Sequence, residues 1–213
     1  MQKSQTPRFF NSIPIQVPKE KIYTRLGYKD RITAIPDKQK KEFESYIDEA
    51  FVLIKLKGAG LSVSVESIKN SEITLANGKI FKSKLLSNFI GNCKEVFFMG
   101  ATSGKEIVDA MMDSKNTDLT KRTVFDATAS EATDWALGWI HDYFNQELHR
   151  ENRSLTPNRI SCGYGDFLLE YQRDIHEMLN LRTIDVKITE NFILKPEKSV
   201  TALSGICEVK NGK

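Results

Sequence analysis

The stretch Arg159-Ile-Ser-Cys-Gly-Tyr-Gly-Asp166 gathers several residues that could do chemistry. An arginine fork can hold a carboxylate through two parallel N–H bonds. Gly163 and Gly165 permit positive φ or close approach of the backbone to a ligand, and Tyr164 adds a ring and a hydroxyl. The same residues read equally well as a tight strand-to-helix turn, with Arg159 on the surface and Asp166 capping the next helix. Cys162 is the one cysteine beside glycines, but His141, His149 and His176 lie at no diagnostic spacing from it. A buried, inert thiol is the better reading than a nucleophile.

Three other places carry polar groups at suggestive spacing. In Asp126-Ala-Thr-Ala-Ser-Glu131, Asp126 ends a strand and Thr128 or Ser130 caps a helix. Glu131 then sits in the first turn, where the helix dipole favours a carboxylate. Gly100-Ala-Thr-Ser-Gly104 is a loop before a helix, but it fits neither the P-loop nor the dinucleotide fingerprint. Ile188-Thr-Glu-Asn191 ends one strand and Lys198-Ser-Val-Thr201 begins the next, which makes Glu190 a candidate ligand contact or a plain hairpin residue. No nucleophile–base constellation and no i, i+4 histidine pair is present, so zinc-type chemistry finds no support.

The elements that must position these residues follow from periodicity. Residues 1–35 read as an N-terminal arm with a short helix ending at Gly27, and 36–213 as one domain. Phe43, Tyr46, Ile47, Ala50, Phe51 and Ile54 form the stripe of a helix, which Gly58-Ala-Gly60 stops. Leu61–Val65 alternates as a strand, and Asn77-Gly78 predicts a hairpin between 72–76 and 79–81. Helices are predicted over 83–90, 105–112 and 128–149, with a buried strand at 94–99. A strand-like 159–162, a helix after Asp166 and a final strand pair at 183–189 and 199–209 complete the chain. Regular β-α-β alternation is absent. The class is α+β, a single twisted, mainly antiparallel sheet flanked by helices.

Composition narrows the setting. The 213 residues carry 31 basic and 28 acidic side chains with signs interleaved, which argues against a nucleic-acid-binding arm. The three cysteines are far apart, which predicts neither a disulfide framework nor a structural zinc site. The N-terminus lacks an apolar signal region, and the apolar runs are too short to span a membrane. The expected setting is reducing and cytoplasmic.

Arg159, Gly163 and Tyr164, in the pattern Arg-x-x-x-Gly-Tyr, resemble the S-adenosylmethionine-binding motif of the activation domain of cobalamin-dependent methionine synthase. The likeness extends to Asp126-Ala-Thr-Ala-Ser-Glu-Ala132, to Ile188-Thr-Glu-Asn191 with Pro196 and Ser199-Val200, and to the segment Cys93–Gly104. These motifs occur in order over about residues 60 to 206. The resemblance implies a stand-alone activation domain: an accessory module for reductive remethylation of a cobalamin-dependent methionine synthase or related corrinoid methyltransferase, not a self-sufficient enzyme. It implies S-adenosylmethionine as the ligand, cobalamin held by a partner methyltransferase, and a flavodoxin-type electron donor. Carried onto this chain, Arg159 would hold the ligand's carboxylate. Ile160, Cys162, Gly163 and Tyr164 would line the adenosine and methionine portions. Glu131 and Glu190 would face the positive end. Ala202-Leu203 stands where the family has aromatic residues, which leaves an alternative: a docking scaffold for a corrinoid protein without the nucleoside ligand.

Overall fold

The computed structural model describes residues 6–14, 16–28, 35–113 and 117–209. Strand β1 (Arg8–Phe10) leads to helix α1 (Lys19–Arg25), whose exit bends at Gly27 with φ +89°. Helix α2 (Asp37–Leu53) buries Phe43, Ile47 and Ala50, the stripe its spacing predicts. It stops at Leu53, ahead of the glycines. Gly58-Ala-Gly60 lies inside strand β2 (Lys57–Lys69), not in the turn expected from sequence. The physical reason is close packing. A Cβ at Gly58 would meet Ile140 Cδ1 at 2.4 Å, and one at Gly60 would meet Phe144 at 2.6 Å. The glycines let a helix lie hard against the sheet.

Strands β3 (Glu72–Leu75) and β4 (Ile80–Lys82) form the predicted hairpin around Asn77-Gly78, with Gly78 at φ +82°. Helix α3 (Lys84–Ile90) starts on Ser83, whose Oγ accepts from the Leu86 N–H. Strand β5 (Glu95–Thr102) runs further than predicted, through Gly100. Helix α4 (Lys105–Met112) follows.

Helix α5 (Leu119–His149) starts about nine residues earlier than expected. Asp118 caps it, accepting from the Lys121 N–H, so Val124-Phe125 is helical and buried instead of a strand. The expected loop over 152–157 contains strand β6 (Arg153–Leu155). After the 159–166 segment come a short 3-10 turn (Leu169–Tyr171), helix α6 (Gln172–Met178) and a second 3-10 turn (Leu181–Ile184). The expected strand over 183–189 shrinks to β7 (Lys187–Ile188), which pairs with β8 (Leu194–Lys195). It does not pair with the last strand, β9 (Ser199–Glu208).

The sheet order is β4-β3-β2-β5-β9-β6, with β1 added beside β2, and every pairing is antiparallel. The α+β, helix-flanked antiparallel class expected from sequence is the observed one. β5 sits between β2 and β9 and is apolar on both faces because both are covered. Phe97 and Met99 join the core under α5, α2 and α4, whereas Val96 and Phe98 join the core under α3 and α6. Pairing of β5 with β9 also brings Cys93 beside Cys207 as a disulfide, Cα atoms 4.5 Å apart across 114 residues. That corrects the expectation that the three cysteines stay apart; sequence separation says nothing about neighbouring strand ends.

Candidate functional site

Helix α5 builds one wall of the site. Asp126, Ser130, Asp134 and Gly138 recur every four residues and so share a face. Opposite them lie Lys198, at the start of β9, and Arg159. Lys198 Nζ bridges Asp126 Oδ1 at 2.6 Å and Ser130 Oγ at 2.9 Å. Arg159 Nη2 donates to Asp134 Oδ1 at 3.1 Å. The other arm of the guanidinium is different: Nη1 is buried with no hydrogen-bond partner, and it lies where a Cβ on Gly138 would be 3.7 Å away. A guanidinium N–H without an acceptor in a desolvated place is costly, so it is primed to take an anionic oxygen.

The backbone beyond Arg159 is held from the sheet side. Ile160 exchanges both backbone bonds with Leu203 of β9, at 3.0 and 2.9 Å, and Ser161 Oγ donates to the Thr201 carbonyl at 2.7 Å. Gly163 and Gly165 take φ of +91° and +57°, which glycine adopts at little cost. Between them Tyr164 projects into solvent, 66% exposed. Cys162 is buried, and desolvation pushes its thiol up to about 12, so it stays protonated and inert near neutral pH.

Asp166 does not cap the helix that follows it. Its carboxylate accepts from Ser83 Oγ at 2.7 Å, the Lys84 N–H at 2.7 Å and the Leu85 N–H at 3.0 Å, at the start of α3. Chiefly the Ser83 bond, then the two amides, hold Asp166 below the usual carboxylate range. The glycine turn is thus pinned to α3 by a charge-assisted cap across the fold.

Two candidate carboxylates sit elsewhere. Glu131 lies in the middle of α5, not in its first turn. It pairs with Arg25 of α1, Nε to Oε1 at 2.6 Å, with its side chain 12% exposed. Glu190, between β7 and β8, lines a cleft of about 410 Å³ with Arg173, His176 and Arg182. Arg159 is not among the residues lining that cleft. The structure therefore brings Arg159 together with the Asp126–Gly138 face and with Ile160–Tyr164. It engages Glu131 in an ion pair with the arm and places Glu190 in a separate cleft. Sequence reasoning missed Asp134, and it grouped Lys198 with Glu190 where the structure sets it on Asp126 and Ser130. The four-residue row from Asp126 was the available signal for Asp134.

No group of three His, Cys, Asp or Glu side chains among the described residues could hold a metal ion. No helix among them is long and apolar enough to cross a membrane. The sequence matches no protein-family model and no curated protein. The fold does find a counterpart among solved structures: a crystal structure of the MetH reactivation domain bound to AdoHcy matches with a TM-score of 0.62 over 92% of this chain and 75% of that one, at 14% identity. The chain has the reactivation-domain fold. Within that fold, Ile160 bridges Leu203 of β9, and Arg159 faces α5 with its Nη1 buried and unpartnered.

Proposed function

We propose that this chain binds S-adenosylmethionine at Arg159 and presents it to a separate cobalamin-binding methyltransferase for reductive remethylation. One observation carries the reading: the buried, unpartnered Nη1 of Arg159. Support also comes from the reactivation-domain fold, whose solved counterpart holds AdoHcy, the demethylated form of this ligand. Arg159 would hold the amino-acid carboxylate, with Asp134 fixing the plane of the fork. The backbone of Ile160, Cys162, Gly163 and Tyr164 would border the rest of the ligand. Asp134, half exposed and already beside the cation, replaces Glu131 as the carboxylate nearest the bound group's positive end. When bound, the ligand supplies an activated methyl group. The chain's own residues need only position it, and the buried Cys162 thiol is inert.

The cobalamin partner and a flavodoxin-type reductant belong to the same proposal. A second reading has one observation in its favour. Ala202 and Leu203 stand where aromatic residues follow the Ser-Val segment in the synthase pattern, and both are buried in opposite cores, so neither offers a ring to a ligand. On that reading the chain is a docking scaffold without the nucleoside.

Calorimetry with AdoHcy and S-adenosylmethionine separates the two. The first reading expects binding by the wild type and its loss in Arg159→Ala. Absence of heat up to ~5 mM ligand, together with recovery of a corrinoid protein by the immobilised chain, would select the scaffold.

A further inference from the structure

The three cysteines of the chain give one disulfide, Cys93–Cys207, and one buried thiol, Cys162. A single bridge is not the dense framework by which small secreted domains replace a core. This chain already has an apolar core on each face of its sheet. The position of the bridge is what points to a task.

Strand β9 is shaped to seat it. Gly205 is buried within β9, and a Cβ there would meet Cys93 Sγ at 2.7 Å and Cys93 Cβ at 3.1 Å. Glycine inside a strand loses side-chain packing and backbone entropy. Here the missing side chain is the room that Cys93 occupies. The two sulfurs differ in access. Cys93 is 6% exposed, whereas Cys207 is only partly covered and its neighbour Glu208 is exposed.

The bridge joins the two elements that hold the 159–166 segment. Cys93 follows α3 closely, and its N–H donates to the Ile90 carbonyl at 3.1 Å. The start of α3 holds Asp166 through Ser83, Lys84 and Leu85. Cys207 lies near the end of β9, and β9 holds the other end of the segment. Leu203 exchanges both backbone bonds with Ile160, and the Thr201 carbonyl accepts from Ser161 Oγ. A closed ring results. It runs from Cys93 through α3 to Asp166, along the segment to Ile160, across to β9 and back to Cys207. Its other cross-links are hydrogen bonds, so the disulfide is the one covalent closure that thiol chemistry can open.

We propose that Cys93–Cys207 is a reversible redox clamp on the Arg159 segment, opened and closed by a dithiol carrier. One thiolate of the dithiol attacks Cys207 Sγ, the accessible sulfur. The bond between the two cysteines breaks, and Cys93 leaves with the electron pair and takes a proton. The second thiol of the carrier loses its proton, attacks the mixed disulfide and frees Cys207 as a thiol. The chain gains two electrons and two protons, and the carrier becomes a disulfide. Exchange in the reverse direction with the oxidised carrier closes the clamp. With the bridge open, the hydrogen bonds at both ends of the segment break more often, and Arg159 is held less firmly beside Asp134. Control of ligand binding by the clamp rests on the proposed role of Arg159, whereas the ordering of the segment does not.

Dithiothreitol is the test probe, added to the full chain under native conditions. The air-oxidised chain should show one free thiol when unfolded, and three after treatment with dithiothreitol. Oxidised dithiothreitol should return the count to one. Hydrogen exchange then reads the clamp. In the reduced chain the amides of Lys84, Leu85 and Ile160 should exchange about tenfold faster, while those of the β2–β3 ladder change little. Cys207→Ala should show the fast pattern without reductant and no response to it. None of these readouts needs a ligand, so a failure of AdoHcy to bind leaves them decisive. Three free thiols in the air-oxidised chain overturn the proposal. So does a bridge that dithiothreitol opens only in denaturant, or identical exchange in the two redox states. Equal acceleration at all amides overturns it too, because that marks a global loss of stability. Unfolding of both the reduced chain and Cys207→Ala does the same, since the bridge is then a structural staple.

Discussion

Arg159 and Asp166 close the two ends of one segment, and they differ in how their hydrogen-bonding capacity is used. Asp166 is saturated: a hydroxyl and two amides of the α3 start converge on it. Arg159 is half used: one nitrogen rests on Asp134 while Nη1 is buried without an acceptor. A saturated charge explains itself by the structure it stabilises. A desolvated donor without an acceptor costs about 1–3 kcal/mol and calls for a further partner, or for a function that offsets the cost. The same segment thus has a structural end and an open end, joined by the glycine turn.

The largest expected effect breaks the open end. Arg159→Ala should weaken AdoHcy binding by ~2–3 kcal/mol, or about 30- to 150-fold, because a charge-assisted pair is lost. Its melting temperature should hold or rise slightly, since an unsatisfied buried donor leaves with the side chain. Calorimetry and thermal denaturation on the same sample check both halves. A clear fall in melting temperature with unchanged affinity would reverse the assignment of the two ends.

Asp166→Ala should do the opposite: the melting temperature falls, and affinity declines only as far as the glycine turn loosens. The acid limb gives an independent reading. Asp166 has a folded pKa below its ordinary value, so its stabilisation is complete above the usual carboxylate range, about 4, and is lost as pH falls through the lower folded value. The variant should therefore lose stability less steeply than the wild type below about pH 4, measured by melting temperature against pH.

Two smaller effects sharpen the picture. Asp134→Asn removes the charge that steadies the half-used fork. Asp134 is itself half exposed, so a loss of ~0.2–1 kcal/mol in AdoHcy affinity is expected. Glu131→Gln should leave affinity unchanged and reduce stability by less than ~1 kcal/mol, because Arg25, its partner, is well exposed. A tenfold affinity loss in Glu131→Gln would restore Glu131 to the ligand site.

The fold was legible where local physics decides it. The α2 stripe, the Asn77-Gly78 hairpin, the short helix before Gly91 and the continuous apolar run of β5 were all readable, because each rests on neighbours within a few residues. It failed where a distant element overrides a local signal. Gly58 and Gly60 read as a turn, yet they are strand residues kept small by Ile140 and Phe144 of α5. Asp126 read as a strand end, yet it is a helix residue answering Lys198.

By itself the sequence determined which residue types stand in which order, and hence the periods, the hairpin turn and the motif set that led to the reactivation-domain fold. Tertiary structure alone decided which charges meet. Arg159 reaches Asp134 across 25 residues, Ser83 reaches Asp166 across 83, and Arg25 takes Glu131 across 106. Spacing rules act over one or two helical turns, and Coulomb and hydrogen-bond partners are chosen by distance in space. That is why Arg159 could be singled out from the chain, while the unpartnered nitrogen that gives it a task could be seen only in the fold.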